Sequence, residues 1–198
     1  TSNERICRLV GSEMYVLDMN SGLSSNSIND LFIDSKGRMW ISSSSGLMYI
    51  YDNILYQAND EALSNAFINS VYEDGEGNIW IATNGNGAFK YNGEFLKVFD
   101  KNSGLAGNLV NAVAEDKKGN IWFALNTDGL CVYDGKSFTN YVLSDSDEYN
   151  SVKSLYQSDE GLWIGHFQSP LIKYVNGEFY TYKLFTGREP TVYSFAEN

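Results

Sequence analysis

The sequence is poor in cysteine, proline, histidine and basic residues. Its 198 residues include two Cys, two Pro, one His and 14 Lys plus Arg, against 25 Asp plus Glu. Two cysteines, Cys7 and Cys131, cannot build a disulfide framework, and no C-x-x-C pair offers zinc or thiol exchange. A single histidine, His166, excludes a His-rich metal site and leaves any Ser–His–Asp triad only that residue to use. The net charge of −11 repels nucleic-acid backbones and anionic membranes, but it does not argue against neutral ligands such as sugars. No apolar run approaches the ~18 residues that would insert into a bilayer. The chain opens on Thr1 with no visible signal peptide, and reads as a piece of something longer.

Aromatic residues are plentiful, with 14 Tyr, 11 Phe and 4 Trp. With 43% hydrophobic residues the chain can bury a core, as one large domain or two small ones. The tryptophans are evenly placed. Trp40, Trp80, Trp122 and Trp163 lie 40, 42 and 41 residues apart. Three of them close the same heptad, D-x-x-G-x-x-W: Asp34–Trp40, Asp74–Trp80 and Asp116–Trp122. Repeats of this length mean solenoids, propellers or arrays.

The content of each unit selects among these. A strand pattern (NDLFID, NSVYED, NAVAED, KSLYQS) leads into the turn. The turn's Asp can bond the amides just ahead, and its Gly (Gly37, Gly77, Gly119) can take φ > 0. Trp opens a second strand. A third ends in Tyr eleven residues later, at Tyr51, Tyr91, Tyr133 and Tyr174, and a fourth follows a turn. No 3.6-residue periodicity is visible. Small residues stand two positions after each Trp, at Ser42, Ala82, Ala124 and Gly165, so neighbouring sheets can approach closely. Ile41, Ile81, Phe123 and Ile164 make the other face of that strand apolar, as in a sheet packed on both sides. Four short strands per ~41 residues is the size of a propeller blade, so the expected fold is an all-β propeller.

These residues resemble the two-component regulator propeller repeat, L-S/A-x-N-x-V-x-x-x-x-x-D-x-x-G-x-x-W-I-x-T-x-x-x-G. Leu63–Gly87 and Leu105–Gly129 follow it closely, and Leu23–Gly46 has one residue fewer near its end. The fourth unit departs: its turn is one residue shorter (SDEGLW), and T-x-x-x-G becomes HFQSP, His166–Pro170. The chain accordingly divides into residues 1–22, the outer strands of a preceding blade; 23–62, 63–104, 105–148 and 149–189, four complete blades; and 190–198, the first strand of a following blade. Closure into a five-blade ring and an open arc stacking on another copy are the alternatives.

Internal departures point to a candidate ligand site. Asn29, Asn69 and Asn111 open three first strands, where satisfying backbone groups is their expected role. Lys153 replaces Asn in the fourth blade and Tyr193 in the fifth. His166 replaces Thr in the adjoining loop, followed by Phe167 and Gln168. A cation, an imidazole, an amide and aromatic rings suit an oligosaccharide; a degenerate repeat with altered packing is the plainer reading.

Other signals are structural first. The heptad is similar to the sialidase Asp-box, but its Asp–Gly spacing differs by one. Arg5, Arg8, Arg38 and Arg188 form no cluster at equivalent blade positions. Glu73–Asp74 and Glu115–Asp116 recur with the turn, and no spacing implies paired glycosidase carboxylates. Asp145, Asp147 and Glu148 lack the spacing of a known calcium loop, so no metal or cofactor is expected. Cys131 reads as core.

The resemblance implies a periplasmic sensor propeller that binds a carbohydrate breakdown product. Binding would shift a homodimer and signal through a membrane helix to a kinase, neither of which is in this chain. The partners so implied are an oligosaccharide, the rest of the propeller and a C-terminal signalling region. A structural propeller docking protein partners at the cell envelope is the alternative. A propeller-type lyase or glycosidase would need convergent acid and base residues in a pocket.

Overall fold

The strand patterns become antiparallel sheets. Strands β1 (Ile6–Val10) and β2 (Glu13–Leu17) form a two-stranded hairpin. Four four-stranded sheets follow, each in chain order. The first contains β3 (Ile28–Ile33), β4 (Met39–Ser43), β5 (Gly46–Tyr51) and β6 (Ile54–Gln57). The second contains β7 (Ile68–Glu73), β8 (Ile79–Thr83), β9 (Ala88–Tyr91) and β10 (Leu96–Phe99). The third contains β11 (Val110–Glu115), β12 (Ile121–Leu125), β13 (Leu130–Tyr133) and β14 (Phe138–Tyr141). The fourth contains β15 (Val152–Ser158), β16 (Gly161–His166), β17 (Leu171–Val175) and β18 (Glu178–Tyr182). This computed structural model describes residues 6–10, 12–58, 60–143, 150–183 and 190–195. Arg5, Arg188 and the Asp145–Asp147–Glu148 cluster lie outside them. The chain divides into two compact units, Thr1–Val71 and Tyr72–Asn198, with the boundary inside β7.

Each heptad is a hairpin locked by its aspartate. Asp34 Oδ1 accepts the amides of Lys36 and Arg38 (3.0 and 2.9 Å), which fixes the loop. Its other oxygen accepts Trp40 Nε1 at 2.8 Å. Asp74 does the same for Glu76, Asn78 and Trp80, and Asp116 for Lys118, Asn120 and Trp122. The loop closes through a left-handed glycine, with φ of 77°, 80° and 82° at Gly37, Gly77 and Gly119. The fourth blade does without the carboxylate. There Ser158 Oγ accepts Trp163 Nε1 at 3.2 Å, and a two-residue turn pairs Ser158 with Gly161.

The Trp strands are the buried centre of their sheets. All five residues of β8 and of β12 are buried. In the second unit Trp80 packs with Phe99, Leu105, Val113 and Phe123, joining the second blade to the third. Trp122, Ala124 and Leu130 pack with Val152, Leu162 and Ile164, joining the third to the fourth. In the first unit Ile6 packs with Leu23, Ile41 and Met48. Cys131 is buried in the second-unit core, and burial pushes its thiol up to about 11; Cys7 is exposed.

Blade-to-blade connections carry one helical turn that the sequence does not announce. Asp18 and Asp100 cap 3-10 turns at Met19–Ser21 and Lys101–Ser103, each closed by a left-handed glycine, Gly22 or Gly104. The equivalent connection after Asp60 has no such glycine and forms a four-residue helix, α1 (Glu61–Ser64). Four residues are too few to display a period. The segment expected to be a fifth first strand differs as well: residues 190–195 form no strand. Among the described residues its one backbone-to-backbone bond is Val192 N to His166 O (3.0 Å), and no strand ladders beside it.

The Asp–Trp bonds set two expectations. Burial raises the carboxyls of Asp34, Asp74 and Asp116, but bonds from the indole and the loop outweigh it and hold each below the ordinary range. A lowered carboxyl contributes stability that is complete above the unfolded-state value of about 3.9 and is lost as pH falls through the folded value. Asp74→Ala should cost about 3 kcal/mol in urea unfolding at pH 7, because a buried indole N–H loses a charged acceptor. It should also flatten the acid limb of the pH–stability curve. Ser42, which occupies the small-residue position of its blade, has a buried hydroxyl with no hydrogen-bond partner among the described residues. Ser42→Ala should therefore stabilise by about 1 kcal/mol in the same assay.

Candidate functional site

The loops between second and third strands meet the connections between blades on one side of each blade. Gly46 N donates to Ala66 O (2.9 Å), Gly87 N to Asn108 O (2.9 Å) and Gly129 N to Asn150 O (3.1 Å). Gly87 needs to be glycine twice over: its φ is 78°, and a Cβ would collide with the Phe99 carbonyl. The first strands add a second stitch. Asn29 Nδ2 donates to Ile68 O at 2.7 Å, and Asn111 Nδ2 to Val152 O at 2.6 Å. Both Asn residues bond the backbone that opens the next blade.

The fourth blade replaces both stitches. Pro170 has no N–H to stand in for the glycine. Lys153 stands in the Asn column and makes a different contact, while Ser154 Oγ donates to Val192 O at 2.8 Å. Val192 therefore occupies the place that Ile68 and Val152 hold in the preceding pairs. Gln168 takes a left-handed backbone (φ 46°), and its amide donates to Thr191 Oγ1 at 3.2 Å.

Lys153 turns back to the third blade. Its Nζ donates to Asn126 Oδ1 at 2.6 Å and lies 5.9 Å from the Phe167 ring centre. Asn126 Oδ1 also accepts Ser151 Oγ (3.2 Å), and Asn111 Nδ2 lies 3.5 Å from it. Ammonium, hydroxyl and amide donors thus converge on one neutral oxygen. Desolvation lowers the Lys153 pKa from the ordinary lysine value. Among the described residues no carboxylate pairs with it.

Of the residues selected from sequence, Lys153 and Phe167 come together. His166 is 1% exposed, and its carbonyl accepts the Val192 amide; its imidazole is sealed from solvent rather than presented to it. Tyr193 is 71% exposed, one residue beyond Val192. Asn126 and Ser151 are not among the residues that sequence singles out. Asn126 stands four residues after Trp122 as Asn84 does after Trp80, while Phe167 breaks that column. The available signal is the pairing of two broken columns, Lys153 in one and Phe167 in the other, across an unbroken Asn126. No group of three or more His, Cys, Asp or Glu side chains suits a metal among the described residues.

The sequence profile described as two component regulator propeller matches residues 22–45, 62–85 and 104–127, the three units with intact heptads. The chain carries two component regulator propeller repeats. No curated protein matches it. Solved structures share its fold. One is the extracellular domain of a protein named as a hybrid two component system from B. thetaiotaomicron (20% identity, TM-score 0.75), matched over 93% of this chain and 29% of that one. A second such domain from the same organism matches at 20% identity and TM-score 0.73, over 89% and 28%. A catalytically inactive virginiamycin B lyase from Staphylococcus aureus matches at 13% identity and TM-score 0.73, over 93% and 64%. The repeats thus form a partial β-propeller, and the chain spans under a third of the two ectodomains' length. No helix among the described residues is long and apolar enough to cross a membrane.

The lowered lysine predicts a pH effect. Between its folded and ordinary values the unfolded chain binds the proton more, so Lys153 adds stability as pH rises through that interval. The difference in stability between the wild type and Lys153→Met should shift in favour of the wild type from pH 8 to pH 11, as read by urea denaturation.

Proposed function

We propose that the chain is part of an extracytoplasmic sensor propeller of a two-component-type regulator, and that it binds an oligosaccharide and signals to a kinase outside this chain. The observation that carries the reading is the fourth blade's departure from the repeat. There a half-buried ammonium and a phenyl ring break the columns of the repeat and gather with the Ser151 hydroxyl and the Asn126 and Asn111 amides at the junction with the third blade. Hydroxyl-rich ligands are recognised by such donors and acceptors beside an aromatic face. Kinship with the repeats of two-component regulators, and likeness to ectodomains of hybrid systems, supports the sensor role. Binding rather than catalysis fits the site, since its one imidazole is sealed and no paired carboxylates face the Lys153 cluster among the described residues.

A thermal-shift screen against plant, host and microbial oligosaccharides tests the proposal. A ligand at a hundred times its Kd adds about 2.7 kcal/mol, a shift of several degrees for a domain of this size. A saturable shift for one glycan class, lost in Asn126→Ala, is the expected result. A shift that survives Asn126→Ala would move the site elsewhere, and no shift for any glycan would overturn the sugar reading for these blades.

A further inference from the structure

We propose that the Lys153 site is built for an oxyanion, so that the saccharide it takes carries a carboxylate or sulfate group; this rests on the sensor reading above. The first ground is the hydrogen-bond inventory. An ammonium has three protons and no acceptor capacity. One proton of Lys153 goes to Asn126 Oδ1 at 2.6 Å, and the other close neighbour is the Phe167 ring. Neither carries a formal charge. The remaining protons have no carboxylate among the described residues, although the chain as a whole has 25 acidic groups to offer.

The second ground is the contrast with the other cations that lie over aromatic rings and are shielded from solvent; Lys97, over Phe99, also lacks a carboxylate among the described residues, but it is exposed and water serves it. Arg38 lies over Trp40 and reaches Asp34 at 2.6 Å. Lys90 lies over Trp80 and has Asp74 at 3.6 Å. Lys173 lies over Trp163 and reaches Glu160 at 2.6 Å. Each of these three has its counter-ion within the same blade. Lys153 instead faces a neutral amide across the junction between two blades. A part-buried charge left with neutral partners is unfavourable until an opposite charge arrives.

The third ground is the arrangement of the neighbours. Ser151 Oγ and Asn111 Nδ2 already point hydrogen toward the oxygen that Lys153 contacts. The pocket of potential around Asn126 Oδ1 is donor-rich. An incoming oxyanion can take the ammonium and the serine hydroxyl together, with charge-assisted bonds about twice as strong as neutral ones. A neutral sugar hydroxyl gains no such advantage.

The probes are sodium glucuronate, glucose 6-sulfate, glucose and inorganic sulfate, titrated at constant ionic strength set with sodium chloride. The readouts are the ¹⁵Nζ resonance of Lys153, assigned with Lys153→Gln, and the melting temperature. The expected result is at least about tenfold tighter binding of an acidic or sulfated sugar than of glucose, a saturable Lys153 Nζ shift, and loss of that preference in Lys153→Gln with its fold intact. Glucuronate alone, glucose 6-sulfate alone, or both responding would identify the anion. Equal binding of glucose and the acidic sugars, unchanged in Lys153→Gln, would overturn the oxyanion inference while leaving a sugar sensor. Inorganic sulfate shifting Lys153 with no sugar preferred over it would sustain the oxyanion site and overturn the saccharide. No shift of Lys153 with any anion would overturn the inference outright.

Discussion

One carboxylate in each regular blade holds two things that would otherwise be independent. The aspartate of the heptad caps the hairpin loop with one oxygen and fixes the indole of the next strand with the other. Burying an aromatic ring of 150–250 Å² is worth roughly 5 kcal/mol, whereas a hydrogen bond to a charged group is worth about 1.5–3 kcal/mol. Burial therefore drives the sheet together, and the carboxylate decides the register in which it does so. A one-residue slip would send Trp80 to the opposite face and leave its N–H without the acceptor. The fourth blade keeps the register with a weaker acceptor, Ser158, and a tighter turn.

A second constraint runs between blades and points one way along the chain. Side-chain donors at the start of one first strand reach the backbone that opens the next: Asn29 to Ile68, Asn111 to Val152, Ser154 to Val192. The glycine of each regular second-to-third loop bonds the connection that leads into that next blade. Polar stitching of this kind satisfies backbone groups that a packed junction would otherwise bury unpaired. It also explains why the fifth position is recognisable at Val192 although residues 190–195 form no strand: the stitch is present, but the ladder is not.

Strand number, the turn glycines and the buried Trp strands were legible because each recurs in register and each has a local cause. The aspartate's role in the turn was also legible, but its bond to the indole was not, since nothing in D-x-x-G-x-x-W states that the first and last residues touch. Helix α1 was hidden by brevity. At the candidate site, Lys153 and Phe167 were visible as breaks in a column of equivalents. His166 was visible for the same reason, yet its imidazole is buried, because sequence marks a departure without saying which way the side chain goes. Asn126 is hidden as an ordinary member of its column. It matters only because a neighbouring blade changed, and pairings across blades are not written in either blade alone.

The place where the repeat loosens is also the place where chemistry gathers, and one cause accounts for both. In the second and third blades a glycine is demanded by its φ and by the close approach of a neighbouring carbonyl, so the loop around it has little freedom to vary. Once Pro170 stands in that position, the amide stitch is gone and the loop is held instead by Gln168 on Thr191 and by His166 on Val192. The bond to the next blade's carbonyl, which an asparagine makes at the equivalent position of the first and third blades, has passed to Ser154. Lys153 is thereby released from a structural duty, and a residue released from stitching can be selected for what it presents. Its long stem allows the charge to reach Asn126 of the preceding blade, across a junction packed by a buried hydrophobic cluster. A donor cluster fixed between two sheets is pre-organised, and pre-organisation lowers the ordering cost that a small ligand must overcome. The binding site we propose thus lies where one blade is relieved of its share of the stitching.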